Sequence, residues 1–344
     1  MYLDKRLCVM YNYSMTKTPK NAQDKSPIVA ELPVACASED AAVAFIERQR
    51  WGSTPGCPRC GDLDVKMVLG KDGQRGPRYL WRCHGCKQQF TVRIGTIFGD
   101  SKIPLRHWCY AFWAACASKK GVAALQIKRQ TGLSYKSALF LMHRIRYAMT
   151  PDAAPESKLT GTVEVDETYV GGTPPRRSRG ERRALRDAGA KGRLPRRYKE
   201  KIPVLAVLAR GGDVRAMVVP TVTAANVRQI ILASVERSAT LMTDESPLYT
   251  KVGRPFDDHQ TVCHGAFEYV RGDAHINTAE SFFSRLKRQM YGTHHAVSPK
   301  HLHRYVAEVA FKHNTRKMED GERTVAAIQG GEGKRLRYRS AVAK

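Results

Sequence analysis

Thr162-Val163-Glu164-Val165-Asp166 reads as a β-strand that ends on an acid, and it marks the place where the chain changes character. Before it the sequence reads as cysteine knuckles and helices; after it the pattern turns to strands. Ile202 to Ala209 and Val214 to Val219 are apolar, β-branched runs joined by Gly211-Gly212-Asp213, a hairpin signal. Ala224 to Ser238 places Val227, Ile230, Ile231 and Val235 on one helical stripe. Ala239 to Met242 is a short buried strand running into Thr243-Asp244, Gln260 to Cys263 is a further strand, and Asn277 to Tyr291 and Lys300 to Asn314 are amphipathic helices. Three strands, a helix, a strand, a helix or loop, a strand and a helix make a mixed α/β domain of ribonuclease-H type, with three antiparallel strands followed by parallel ones.

This ribonuclease-H-like domain is expected at 161–315. A basic insertion, 174–201, separates its first two strands. From Arg176 to Lys201 it holds 12 Lys or Arg against 3 acids, a composition that cannot bury a core. Arg176, Arg177, Arg196 and Arg197 are its candidates for holding a phosphate backbone, and a solvated loop is the equal alternative. Residues 316–344 read as a basic tail.

Upstream, Pro151 and Pro155 mark a linker at 151–160. In the helical region 100–150, Trp108, Phe112 and Ala115 recur at helical spacing. There Ala123 to Thr131, a Gly132-Leu133-Ser134 turn and Tyr135 to Met149 form a helix-turn-helix pattern, with an ordinary helix pair as the bland reading. Lys136, Arg144 and Arg146 on the second helix are the candidate DNA contacts. Region 39–99 holds a short leading helix, Ala41 to Arg50, with Asp40 as its cap, and then the cysteines. Residues 1–38 are polar, contain Pro19, Pro27 and Pro33, and read as poorly ordered.

Lys and Arg number 58 against 32 Asp and Glu, a net charge of +26. A field of that sign favours polyanions, so nucleic acid is the first partner to consider. The sequence has no apolar run of the roughly 20 residues that a membrane span needs and no secretory signal pattern, so a cytoplasmic, nucleoid-associated bacterial protein is expected.

Cys57-Pro58-Arg59-Cys60 and Cys83-His84-Gly85-Cys86 are two C-x-x-C knuckles separated by 22 residues. Each knuckle can give two thiolates to one tetrahedral zinc ion, and strands at Tyr79 to Arg82 and Gln89 to Val92 would complete a zinc ribbon. Four protein ligands leave no open position, so this zinc is expected to be structural.

Phosphodiester chemistry needs hard divalent cations, which take carboxylate oxygens. Asp166 and Asp244 both fall at strand ends, where side chains converge on a cleft. Glu280 shares a helix face with Asn277, Ser284 and Lys287, opposite the apolar stripe of Phe282, Phe283, Leu286 and Met290. Spacing alone leaves alternatives open. Asn277 and Glu280 could instead form a capping-box-like pair, and Glu164 shares a strand face with Asp166.

The residues around these acids decide more. Val163-Glu164-Val165-Asp166-Glu167-Thr168-Tyr169-Val170-Gly171-Gly172 resembles the first catalytic motif of the ISXO-like insertion-sequence transposases, the IS fifteen-ninety-five group. His275-Ile276-Asn277-Thr278-Ala279-Glu280-Ser281-Phe282-Phe283, then Leu286-Lys287-Arg288 and Gly292-Thr293-His294-His295, resemble its last motif, and Tyr305 to Asn314 continues the match. The zinc ribbon and Lys119-Lys120-Gly121-Val122 are also similar to that family, and 35 residues separate Asp244 from Glu280, a spacing familiar in Asp-Asp-Glu transposases. The resemblance implies that Asp166, Asp244 and Glu280 bind two magnesium or manganese ions, with Lys287 as the basic residue seven positions on. Some members of the family use Asn as the third catalytic residue, here Asn277. It implies a DNA transposase that binds the terminal inverted repeats of its element, hydrolyses the ends and joins them to target DNA, working as a dimer or larger synaptic complex. A zinc-containing DNA-binding protein without strand-transfer activity is the competing reading.

Overall fold

The computed structural model describes residues 26–151, 157–172, 201–266, 268 and 270–337. The four arginines expected of the insertion, Arg176, Arg177, Arg196 and Arg197, lie outside the described residues, as does 1–25.

The second half is an α/β sheet domain. Strands β4 (Thr162–Val170), β5 (Ile202–Ala209), β6 (Val214–Val218), β7 (Thr240–Asp244) and β8 (Asp258–Val262) form one sheet in the order β6-β5-β4-β7-β8. β6, β5 and β4 pair antiparallel; β4, β7 and β8 pair parallel. That order and those directions are consistent with the expected ribonuclease-H-like arrangement. β5 is apolar along nearly its whole length because both of its faces are covered. One face packs Val163, Val165, Leu205 and Val207 against helices α6 (Ala224–Ser234) and α7 (Pro247–Gly253). The other packs Val204, Ala206 and Leu208 against α8 (Asn277–Gln289) and α9 (Leu302–Asn314).

The first half contains a zinc-ribbon fold and a helical module. β1 (Val65–Met67), β2 (Trp81–Cys83) and β3 (Gln89–Phe90) make a small antiparallel sheet. It docks on α2 (Glu39–Trp51) through Glu47, which accepts hydrogen bonds from Arg75 (2.6 and 2.8 Å) and from Trp81 Nε1 (2.8 Å). The helical core is built from α2, α3 (Leu105–Ala117), α4 (Ala124–Thr131) and α5 (Tyr135–Ala148), with Trp108, Phe112, Ile127, Leu141 and Ile145 fully buried. Gly132, at φ +72°, ends α4, and Ser134 Oγ accepts from Ser137 N to start α5.

Two expectations of disorder fail. Pro27–Ala37 is a helix, α1, with Pro27 in its first turn and Leu32 and Ala35 buried. Asp320–Gln329, placed in the expected tail, is another, α10, which buries Ala327 and Ile328 in the same core as α3 and α5. α10 does begin with a capping box of Glu319 and Glu322, but a helix this short is stabilised mainly by the surface it packs on. The leading helix also starts earlier than expected: Ser38, not Asp40, accepts from Ala41 N as its cap (3.1 Å).

The module and the sheet domain are locked together. Arg146 of α5, 1% exposed, donates to Glu308 of α9, 0% exposed, at 2.8 Å. The Arg146 guanidinium also lies 4.0 Å from the centre of the Tyr305 ring. Gly121, at φ +74°, sits so close to this contact that a Cβ there would lie 3.0 Å from both Gln289 and Glu308.

Candidate active site and metal centre

β4 is longer than the sequence suggests and runs four residues past Asp166. Its ladder with β7 nevertheless stops at Glu164–Met242. The same register carried two residues further sets Asp166 beside Asp244, where the two parallel strands part. Asp166 Oδ1 accepts from Glu167 N (2.8 Å) within the strand, and Asp244 Oδ1 accepts from Ser246 N (3.1 Å) in the turn after β7.

Glu280 reaches the same place from the first turn of α8. Asp166, Glu280 and Lys287 line one open cleft of about 800 Å³, together with Thr168, Lys120 and Arg288. Neither Asn277 nor Asp244 lines it; Asp244 stands at its edge, near enough for its charge to act on Asp166. The electrostatics agree with this grouping. Burial pushes the Asp166 carboxyl up to about 7; the hydrogen bond from the Glu167 amide opposes it, and the charges of Glu167, Asp244 and Glu280 add to the rise. A partly desolvated acid crowded by three others is chemically suited to a hard cation, which would relieve the repulsion and stabilise the ionised form. The carboxylates stand further apart than thiolates around zinc: among the described residues, the only set of three or more His, Cys, Asp or Glu side chains with every ligand atom within 4.8 Å of the others is the cysteine quartet.

Glu164 resolves an ambiguity of the sequence. It is fully buried on the same strand face as Asp166, yet its carboxylate turns to the start of α8. Its Oε2 accepts from Thr278 N and Ala279 N, both at 2.9 Å, and its Oε1 accepts from Thr278 Oγ1 (2.9 Å) and Arg210 Nε (2.7 Å). α8 has no side-chain cap of its own at Ile276, and the capping pair expected of Asn277 and Glu280 does not form. A carboxylate from the sheet takes that place, satisfying helix N–H groups at the positive end of the dipole and leaving Glu280 to face the cleft. Arg210 also donates to Asp273 O (2.8 Å) and His275 O (2.7 Å), so one guanidinium fixes the segment leading into α8.

Sequence reasoning missed Glu167 too. It is half-buried at the cleft, receives a hydrogen bond from the buried Tyr249 hydroxyl, and is shifted upward mainly by burial. Its only signal was adjacency to Asp166.

The four cysteines converge as expected. Cys57 and Cys86 sulfurs are 3.7 Å apart, and those of Cys60 and Cys83 are 3.6 Å apart. A tetrahedron with Zn–S bonds of about 2.3 Å has edges of about 3.8 Å, so the quartet fits a structural zinc ion with no open position. Gly61 takes φ +79° in the first knuckle, but in the second it is Lys87, at φ +58°, that makes the turn. Gly85 is there for space, since a Cβ would meet Asp62 Oδ2 at 2.2 Å.

The expected DNA contacts on α5 divide. Lys136 is exposed at its first turn. Arg144 and Arg146 are 4% and 1% exposed and belong to the interior. Arg144 donates to Gly99 O and lies over the Trp108 ring, while Arg146 pairs with Glu308. A basic helix read as a solvent face is here the seam between two halves of the protein.

The described residues thus combine a mixed sheet with Asp166 and Asp244 at neighbouring strand positions, a glutamate on a helix at the cleft, and a four-cysteine ribbon. Residues 158–314 match the ISXO2-like transposase domain and residues 37–89 the transposase zinc-ribbon domain. The chain is also 30% identical, over 275 residues covering 78% of its own length and 88% of the relative's, to an uncharacterized protein in transposable element ISH50 of Halobacterium salinarum. The chain belongs to the ISXO2-like transposase family.

Proposed function

We propose that the protein is a DNA transposase that binds the inverted-repeat ends of its own element, cuts them in a magnesium-dependent reaction and joins the freed 3′ ends to target DNA. The observation that carries this reading is that Asp166 and Glu280 line one cleft, with Asp244 at the strand position beside Asp166 where β4 and β7 part. Asp166, Asp244 and Glu280 would hold magnesium (or manganese), which supplies Lewis-acid stabilisation of the attacking and leaving oxygens. Glu280 is preferred to Asn277 as the third group because it faces the cleft and its charge is felt at Asp166.

The chain's own residues orient the substrate. Glu164 holds α8 by its first turn and thereby sets the position of Glu280. Lys287 lies two turns along the same helix face and can hold a phosphate oxygen of the strand in the cleft. In the first step a water oxygen displaces the 3′ oxygen at the element's end; in the second that 3′ hydroxyl displaces an oxygen of a target phosphodiester. Lys136 at the start of α5 and the zinc ribbon are the proposed end-binding parts, working in a dimer or larger complex that pairs two ends.

The test is an end-DNA assay with magnesium. Asp166→Asn should bind end DNA like the parent protein and lose cutting and joining by about a hundred- to a thousandfold, the size of effect seen when a central charge-stabilising group is removed. Joined product from this variant would sink the assignment.

A further inference from the structure

A second groove, of about 500 Å³, opens behind the cleft, and Lys120 and Arg288 line both. Its walls come from both halves of the chain: Lys119 and Lys120 from the loop between α3 and α4, Arg285 and Arg288 from α8, and Arg316 just beyond α9. The loop is tied across the junction by Thr293 Oγ1, which donates to Lys120 O at 2.9 Å.

Seven Lys or Arg and a single Asp line this groove, so its sign is not in doubt. Lys312 is neutralised by Glu308 at 2.8 Å and Arg323 by Asp320 at 2.5 Å. The other five, Lys119, Lys120, Arg285, Arg288 and Arg316, have no carboxylate within 4.0 Å among the described residues. Their hydrogen bonds go to neutral acceptors. Arg285 donates to His313 Nδ1 (2.9 Å), Arg316 to His313 O and Gly211 O (both 2.8 Å), and Arg288 to Ser284 O (3.2 Å). The crowding is felt: burial and then the charges of Arg316 and Arg285 push His313 down to about 4, and Arg285 itself is held low by burial, Arg316 and Arg288.

Five unneutralised cations gathered in one groove repel one another, and an anion lying among them removes that cost. A single phosphate can engage two or three of them. A chain of phosphates engages all five and continues through Lys120 and Arg288 into the cleft. We infer that this groove holds the phosphodiester backbone of the DNA strand running out of the active-site cleft, gripped between the helical module and the sheet domain. The inference rests on the transposase reading of the cleft. It assigns Lys120 and Arg288 to the phosphates nearest the reacting bond, and Lys119, Arg285 and Arg316 to those beyond it.

The experiment titrates the full-length, zinc-loaded protein with a short DNA duplex of arbitrary sequence over a series of salt concentrations. Each phosphate contact contributes about 0.9 to the slope of log affinity against log salt. Lys119→Ala, at an exposed loop position, and Arg316→Gln should each lower the slope by about that amount, while Arg316→Lys keeps it. Circular dichroism and zinc content report folding, and Lys119→Ala carries the test if Arg316→Gln does not fold. An unaltered slope in the folded neutral variants overturns the groove assignment. Asp166→Asn is the separate arm: if it still cuts and joins DNA, the reading of the cleft falls, whereas the slopes judge the groove alone.

Discussion

Glu164 shows why the third carboxylate could not be settled at the level of local residues. Helix-start rules look within four residues, and there Asn277 and Glu280 have the right types to cap α8. The cap actually comes from a residue 114 positions away in sequence. Glu39 does the same for α3, accepting from Leu105 N (2.7 Å) and Arg106 N (3.1 Å). That Asp166, Glu280 and Lys287 would share a cleft and the four cysteines one point was legible because their spacing and flanking residues carry the signal; the places of Glu164, Arg210 and Glu167 were not, because their partners are brought in by the tertiary fold. Replacing Glu164 by Gln should put an amide donor against helix N–H groups and leave Arg210 without its counter-charge. A loss of roughly 3 kcal/mol is expected, the low end for a buried pair whose cation keeps some solvent. Urea unfolding measures it, and a parallel fall in DNA cutting larger than the fraction unfolded would mark Glu164 as a positioning residue for Glu280. In the opposite direction, Asp166→Asn removes a carboxylate that burial and three acids hold up to about 7. Ionising that group costs folded-state stability as pH rises from the unfolded value near 4 through 7. The variant should therefore melt higher than the parent at pH 8 in chelator, and the gap should narrow as pH falls and close near pH 4.

Among the elements, the strands were read well and the isolated helices poorly. β5 matched residue for residue, because a doubly covered strand is a continuous apolar run. α1 and α10 went unseen and α7 was left as a helix or loop: each is short, and each depends largely on the neighbours it packs on. α10 is the sharpest case, since basic composition suggested a tail. Ending the chain after Met318 should uncover the helical core along α3 and α5 and yield insoluble or protease-sensitive protein; a soluble product with parental melting would contradict the role given to this helix. The zinc ribbon offers a second element-scale test. Chelation should release about one zinc ion per chain and unfold the ribbon, whose own core beyond the cysteines is little more than Phe90 and Trp81.

For the molecule as a whole, the Arg146–Glu308 contact decides whether the halves move separately. Burial would raise Glu308, but Lys312 and Arg146 outweigh it and hold the carboxyl down to about 2. An acid lowered in the folded state stabilises it above its unfolded pKa, near 4.3, and that stability is lost as pH falls toward 2. Glu308→Gln should cost about 3–5 kcal/mol at neutral pH by leaving Arg146 buried and unpaired. The difference from the parent should shrink between about pH 4.5 and 2, and it is the difference that is measured, because the zinc thiolates also protonate in acid.

α10 has a consequence for the order of events during synthesis. The helical core is begun by residues 27–51 and closed by 320–329, with the whole sheet domain made in between. Ribosome-bound chains usually fold from the front, but here the front half keeps an uncovered side until the last tenth of the polypeptide emerges. Bridging contacts such as Arg50 with Glu332, 282 positions apart, then shut the ring. A polypeptide cut short anywhere before that helix is thus left with an unfinished head as well as a missing end, so the fold itself screens out incomplete copies.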